Sequence, residues 1–427
     1  RGSLTQTYRP GVTTTLTYTL DNQRITGGFW FERARHRQTQ PAVRVDNGGG
    51  VTDIWLGGNL INYNDGTTYQ GRNQMTISTG EAVFVQDVID LMDNKLQVTP
   101  SFAYRRIKRD FTNFANSGIA GSGATAGNSA VDYNIDKTYS AALPSLALSF
   151  QATPKLQVFG SVAKNFKVPG NFEYQNLAQT SSTTIVGGVG TATAFLPLTV
   201  KEETSINFDL GARYKGDWYR GSVTAFYNKF KDRIASSFDP AANMTHDFNV
   251  GDSKTKGVEI EAGTVPIQGF SAYMSLTYTK STLDDDMPAS ATTFYPTAGK
   301  QFPDTPKTMA GLSVQYANGP GLVNVAAKYT GSRFLTLTND VEIPGFTTVD
   351  LNAAWKFANP SGTGFKNPTL RLNVSNLFNR QYFLANAGSG SNITIVGLPS
   401  TVAGSTAGPS YYAGAPRFTS VTFSVDY

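Results

Sequence analysis

Cysteine is absent from the 427 residues, so no disulfide framework and no thiolate metal site can form. Histidine is nearly absent. His36 and His246 are the only two, which argues against a histidine zinc centre or a histidine general base. Charged residues make up only 16% of the chain. Long apolar runs are missing too: none reaches the roughly 18 residues that a membrane-spanning helix needs. That exclusion does not extend to a transmembrane barrel, whose strands alternate apolar-out with polar-in and average out as hydrophilic. The net charge of +5 is scattered and not gathered into one stripe, which argues against nucleic-acid binding. What the chain does have is 42 Gly, 20 Tyr and 12% aromatics, a composition that fits a β-rich envelope protein better than a cytosolic enzyme.

The pattern at the C-terminus is the clearest. In Ser420-Val421-Thr422-Phe423-Ser424-Val425-Asp426-Tyr427, apolar residues take every odd position and polar residues every even one. Strict period 2 marks a strand with two different faces. The same alternation runs through Ile206, Phe208, Leu210, Ala212 and Tyr214, through Val349 to Phe357, and through Leu370, Leu372 and Val374. Soluble sandwiches alternate as well. Here, however, Asp, Arg and Lys occupy mid-strand polar positions, and Tyr214, Tyr278, Tyr329, Trp355 and Tyr427 lie near strand ends, as an interfacial girdle requires. Strands are predicted at 11–20, 23–37, 79–91, 95–111, 142–152, 155–167, 201–214, 217–236, 251–263, 269–283, 306–317, 321–336, 346–358, 367–384 and 416–427. Their connections alternate between tight turns, such as Asp21-Asn22 and Asn318-Gly319-Pro320, and long loops at 38–78, 112–141, 168–200, 284–305 and 385–415. Short turns at one rim and long loops at the other describe an all-β, antiparallel transmembrane barrel. The count of about 15 is odd where single-chain bacterial barrels are even, so the first strand is expected to start at the loop rim, with residues 1–10 the end of a loop.

Several segments on this frame resemble TonB-dependent outer-membrane receptors. Asn376-Leu377-Phe378-Asn379-Arg380-Gln381-Tyr382 is similar to the family's N-L-F-[DN]-x-x-Y signature. Tyr412, Gly414, Pro416 and Arg417 resemble the lead-in to its aromatic-terminated last strand, here ending in Tyr427. Lys201 to Tyr214, Ser222 to Ile234, Gly257 to Glu261 and Phe159 to Pro169 resemble further family segments, with Lys167 where Arg is usual. These motifs are scaffold marks and name no substrate. The resemblance implies a barrel of about 22 strands around a plug. Residues 1–427 would be its C-terminal part, with the earlier strands, the plug and the TonB box before Arg1. It also implies a multi-pass protein of the outer membrane of a Gram-negative bacterium, surrounded by lipid and lipopolysaccharide. That protein would be an active transporter and not an enzyme, and would couple to the TonB–ExbB–ExbD complex through the plug.

The expected cargo is a scarce nutrient, first a ferric siderophore, held by no resident cofactor or metal. A carbohydrate, cobalamin or another organic nutrient is the alternative within transport; a passive porin, an adhesin or a phage-receptor barrel lies outside it. Haem receptors of the family share an F-R-A-P element with a loop histidine nearby. The counterpart here is Phe166-Lys167-Val168-Pro169, and neither histidine lies in that segment, which argues against haem. Cations cluster where strands enter the loops: Arg33, Arg35 and Arg37; Arg105, Arg106, Lys108 and Arg109; Lys164 and Lys167; Lys229, Lys231 and Arg233. They read either as an electropositive funnel for an anionic ligand or as contacts with lipopolysaccharide or water. Loop aromatics read either as ligand platforms or as side chains that close the loops over one another. Arg105, Lys167, Tyr174, Lys231 and Tyr295 are the ligand-binding candidates. Asp284-Asp285-Asp286 lacks the spaced ligands of a calcium loop.

Overall fold

The computed structural model describes residues 4–48, 50, 60–62, 66, 68, 70–114, 132–174, 183–186, 189–192, 198–239, 244–288, 294–362, 364–385 and 411–427. One antiparallel sheet dominates it, with neighbours along the chain also neighbours in space. Its strands are β1 (Leu4–Tyr8 and Gly11–Thr19), β2 (Gln23–Pro41), β3 (Gln70–Leu91), β4 (Leu96–Asn113), β5 (Tyr133–Thr153), β6 (Leu156–Lys167), β7 (Glu203–Lys215) and β8 (Tyr219–Lys231). There follow β9 (Ser253–Thr264), β10 (Phe270–Leu283), β11 (Thr308–Asn318), β12 (Gly321–Thr330), β13 (Phe346–Lys356), β14 (Lys366–Ser375) and β15 (Phe418–Asp426). The expected strand number is met. Several boundaries are corrected. β3 starts at Gln70 and β5 at Tyr133, inside the expected loops 38–78 and 112–141, while β12 ends at Thr330 and β14 at Ser375, short of the expected 336 and 384. Leu4–Tyr8 is not loop but strand: it pairs with Arg35–Thr39, in line with Gly11–Thr19 on Arg24–Glu32, across a break at Arg9-Pro10. Proline has no N–H for the ladder, which is why the strand breaks there and resumes beyond it.

The alternation in sequence becomes two faces of a wall. Partnered residues in a ladder share a face. One face carries Val83, Phe102, Leu148, Phe208, Leu210, Val223, Val258, Leu276, Val323 and Leu370, all exposed. This is the lipid side, because apolar exposure on this scale is stable only against acyl chains. Phe423 lies opposite Leu370, which lies opposite Trp355, so the odd residues of β15 join that face as their period requires. The other face is polar: Ser161 donates to Asp209 at 3.1 Å, and Asn324 donates to Ser313 at 2.8 Å. Aromatics edge the lipid side at both ends, with Phe270–Tyr316 (4.4 Å) and Tyr214–Tyr219 (5.0 Å) at the turn rim and Tyr278 and Tyr329 at the loop rim.

Above the loop rim the chain folds into short hairpins, Ile234–Asp239 with Met244–Asn249, and Phe383–Ala385 with Tyr411–Ala413 among them. The signature Asn376-Leu377-Phe378-Asn379 is the hinge between wall and hairpin. Asn376 and Asn379 take left-handed φ values of 48° and 52°, which Asn tolerates better than most residues. The buried Asn376 amide donates to the carbonyls of Arg380 (2.9 Å) and Ala415 (3.0 Å), while its oxygen accepts from Arg380 N–H. Asn379 accepts from the Arg417 N–H, and Tyr382 stacks on Phe346 at 4.2 Å. Gly414 lies against the Tyr382 ring, where a Cβ would collide. Phe378 stays exposed, and Leu377 N–H donates back to Val349. The motif therefore fastens the end of the last loop onto the wall.

Candidate ligand-binding rim

Strand parity sorts the cations. Arg105 lies opposite Ala82, which lies opposite Trp30, so all three face the lumen. The guanidinium carbon of Arg105 is 5.4 Å from the Trp30 ring centre. Trp30 in turn lies across Gly80, where any Cβ would strike the indole at 2.5 Å. Arg109, four residues on, shares the inward face and bonds to Asn171. It also lies directly opposite Lys137, whose ammonium is 5.1 Å from the Tyr139 ring centre. Lys167 faces inward opposite Glu203. Lys231 does not belong to this set. It shares a face with Tyr227 and Val223 on the same strand, so it points to the lipid side. Arg33, Arg35, Arg106, Lys108, Lys164 and Lys229 also point outward by the same parity. The expected funnel of all these cations is thus corrected: the inward part is Arg105, Arg109, Lys137 and Lys167. Trp30 and Lys137 were not among the candidates, and Arg109 stood only in the wider cation cluster. On β4, the parity of Arg105 and Arg109 relative to Phe102 and Tyr104 was the available signal.

The two candidate tyrosines close loops. Tyr174 is fully buried at the lumen wall, stacked on Phe111 at 6.0 Å. Its hydroxyl shares a 2.9 Å hydrogen bond with Tyr139, and its carbonyl accepts from the Tyr133 hydroxyl at 2.9 Å. It anchors the Asn171–Tyr174 turn against β4 and β5. Tyr295 is 3% exposed, packed with Ala235, Val250, Leu283, Met287 and Leu337. Burial pushes its hydroxyl above the usual tyrosine range. Beside this cluster, the Arg233 guanidinium lies 3.5 Å from the Phe302 ring centre and 4.5 Å from that of Phe230. Burial pushes it down to about 10, opposed by the charge of Glu203. Arg333, 5% exposed, pairs with Asp304 at 2.6 Å and links the loop after β12 to the loop after β10. Asp284, Asp285 and Asp286 diverge, to Lys254, to the Asp252 N–H and to the Ala298 N–H. Of the loop aromatics, Tyr63 and Tyr69 lie outside the described residues.

This wall of antiparallel strands, with tight turns at one rim and long loops at the other, has known relatives. The model of the TonB dependent receptor-like β-barrel matches residues 1–377. The chain belongs to the TonB-dependent receptor family. A metal-pseudopaline receptor of Pseudomonas aeruginosa is 26% identical over 267 residues, 59% of this chain and 31% of that receptor. The unliganded ferric citrate transporter FecA superposes with a TM-score of 0.64 at 17% identity, over 98% of this chain and 54% of that one. The siderophore receptor PiuA from Acinetobacter baumannii gives 0.65 at 16%, over 99% and 56%. The chain spans about a third of the curated receptor and about half of the solved ones. TonB-dependent receptors are transporters and receptors of small molecules, and the fifteen strands here are part of such a barrel wall.

Proposed function

We propose that the receptor to which this wall belongs sits in the outer membrane of a Gram-negative bacterium and imports an anionic metal chelate, a ferric siderophore or a compound of that charge and shape. The observation that carries this reading is the inward group of Arg105, Arg109, Lys137 and Lys167, with Trp30 as a flat surface beside Arg105. Arg109 and Lys137 are like charges directly opposed across a ladder, a destabilising pair that an anion between them would relieve. The metal-pseudopaline and siderophore receptors among the relatives support the same cargo class. Coupling to TonB through a plug domain of the same receptor belongs to this reading and rests on family membership.

The test is ferric-chelate binding by the complete receptor in detergent. Replacing Arg105 and Arg109 together by Ala should weaken binding at least about tenfold, from charge-assisted contacts of roughly 1.5–3 kcal/mol each. Raising salt from 0.1 to 1 M, which shortens the Debye length from about 10 Å to about 3 Å, should weaken the wild type further. Lys231→Ala should leave binding unchanged, since Lys231 faces lipid. Binding that ignores both salt and the double substitution would overturn the anionic-cargo reading and favour an uncharged nutrient.

A further inference from the structure

The outward cations fall into two groups that differ in how they are compensated. On β4 they are matched by acids on the same face: Arg106 pairs with Glu81 at 3.2 Å and Lys108 with Asp136 at 3.5 Å, while on β2 Arg33 and Arg35 have, among the described residues, no carboxylate within ion-pair distance. On β6 to β10 they are not. The ladder sets Lys164, Ile206, Lys229, Lys254 and Thr282 in one row across five strands. Two residues nearer the turn rim, Lys256 and Lys280 lie directly opposite each other. Lys229 and Lys254 are likewise directly opposed, and Lys231 stands one outward position above Lys229. Lys254 has Asp284 at 2.8 Å. Among the described residues, Lys164, Lys229, Lys231, Lys256 and Lys280 have no carboxylate within ion-pair distance.

Two directly opposed lysine pairs cost stability in an isolated sheet. A cleft of about 310 Å³ opens here, lined by Lys254, Lys256, Lys280, Thr282, Asp284 and Gly299. Immediately below, on the same face, run Phe208, Tyr227, Val258 and Tyr278, all exposed. The patch therefore joins a cationic band at the loop rim to an apolar surface directly beneath it. Its complement is an amphiphile with clustered negative charge on the head and acyl chains below, standing beside the wall in the outer leaflet. Flexible lysine stems let the ammonium groups rise to the head-group level while their methylenes stay on the apolar wall.

We propose that Lys229, Lys254, Lys256 and Lys280, flanked by Lys164 and Lys231, form a binding site for the phosphates of an outer-leaflet glycolipid. Its acyl chains lie on Phe208, Tyr227, Val258 and Tyr278. The site requires the membrane placement of the import reading but not its cargo, so chelate binding measured on the same variant separates the two. The complete receptor is purified in mild detergent from outer membranes rich in phosphorylated glycolipid, and retained glycolipid is counted by native mass spectrometry. The combined change K229Q/K254Q/K256Q/K280Q should lower retention at least about tenfold, because each basic residue adds to binding at an anionic membrane surface. Chelate binding and the heat-modifiable shift of the folded barrel on gels should be retained. R106Q/K108Q, in the compensated group, should lower retention far less. Wild-type receptor stripped of lipid should rebind the glycolipid but not its enzymatically dephosphorylated form. Equal retention by the quadruple variant would overturn the site. So would equal rebinding of dephosphorylated glycolipid, or of phosphatidylglycerol, or displacement by millimolar inorganic phosphate alone, which would show a site for any anion.

Discussion

Replacing Tyr174 by Ala separates a loop anchor from a ligand contact. The side chain is wholly buried against Phe111 and Tyr133, and its hydroxyl meets that of Tyr139 at 2.9 Å. Truncating a buried aromatic costs about 3–5 kcal/mol. Losing the hydroxyl contact with Tyr139 adds about 1 kcal/mol. The wall ladders of β4 and β5 do not depend on Tyr174, so the loss falls on the local closure of the Asn171–Tyr174 turn. At 1.4 kcal/mol per decade, the opening equilibrium of that turn should rise by roughly three to four orders of magnitude. Hydrogen exchange on the complete receptor reads this directly. Peptides spanning 168–174 should lose protection while those from the middle of β4 keep theirs. Tyr174→Phe keeps the stacking and loses only the hydroxyl contact, so its effect should be about tenfold or less. Unchanged exchange in Tyr174→Ala, together with lost chelate binding, would refute the anchor and make Tyr174 a contact residue.

Phe423→Arg should impair membrane assembly far more than Thr422→Arg, because a lipid-facing Arg at mid-membrane costs about 2–4 kcal/mol while the lumen is polar; equal yields of heat-modifiable barrel would show that β15 presents the opposite face. Asn376→Ala removes both amide donations and the carbonyl acceptor of the hinge and should lower the unfolding temperature by the equivalent of about 2–3 kcal/mol. Asn376→Gly, which tolerates the left-handed backbone, should lose less than the Ala variant; the reverse order would count against the strained φ of 48°. Arg333→Ala removes the buried guanidinium that pairs with the half-buried Asp304 and should destabilise the loop contact by about 1.5–3 kcal/mol, seen as faster proteolysis within 331–345.

Period 2 was enough to determine much of this protein. It marked the strands, and the alternation of tight turns with long loops ordered them into a wall with two unlike rims. Together with the asparagine and aromatic signature of residues 376–382, it led to the family. The face of each strand residue was also within reach of the sequence, since Lys231 shares parity with Val223 and Tyr227, and Arg105 opposes that of Phe102 and Tyr104. Ladder register was not. Lys229 meets Lys254, and Lys256 meets Lys280, only because turn lengths set how far each strand slides against the next. A slip of one residue would send every side chain to the other face. Nor was loop burial legible. Tyr174 and Tyr295 stand in polar, irregular stretches with no period to assign them a face, and their partners Phe111 and Leu337 are distant in sequence. Only the tertiary arrangement decides whether such an aromatic waits for a ligand or is spent holding two loops together, because that depends on which apolar surfaces the rim brings within contact.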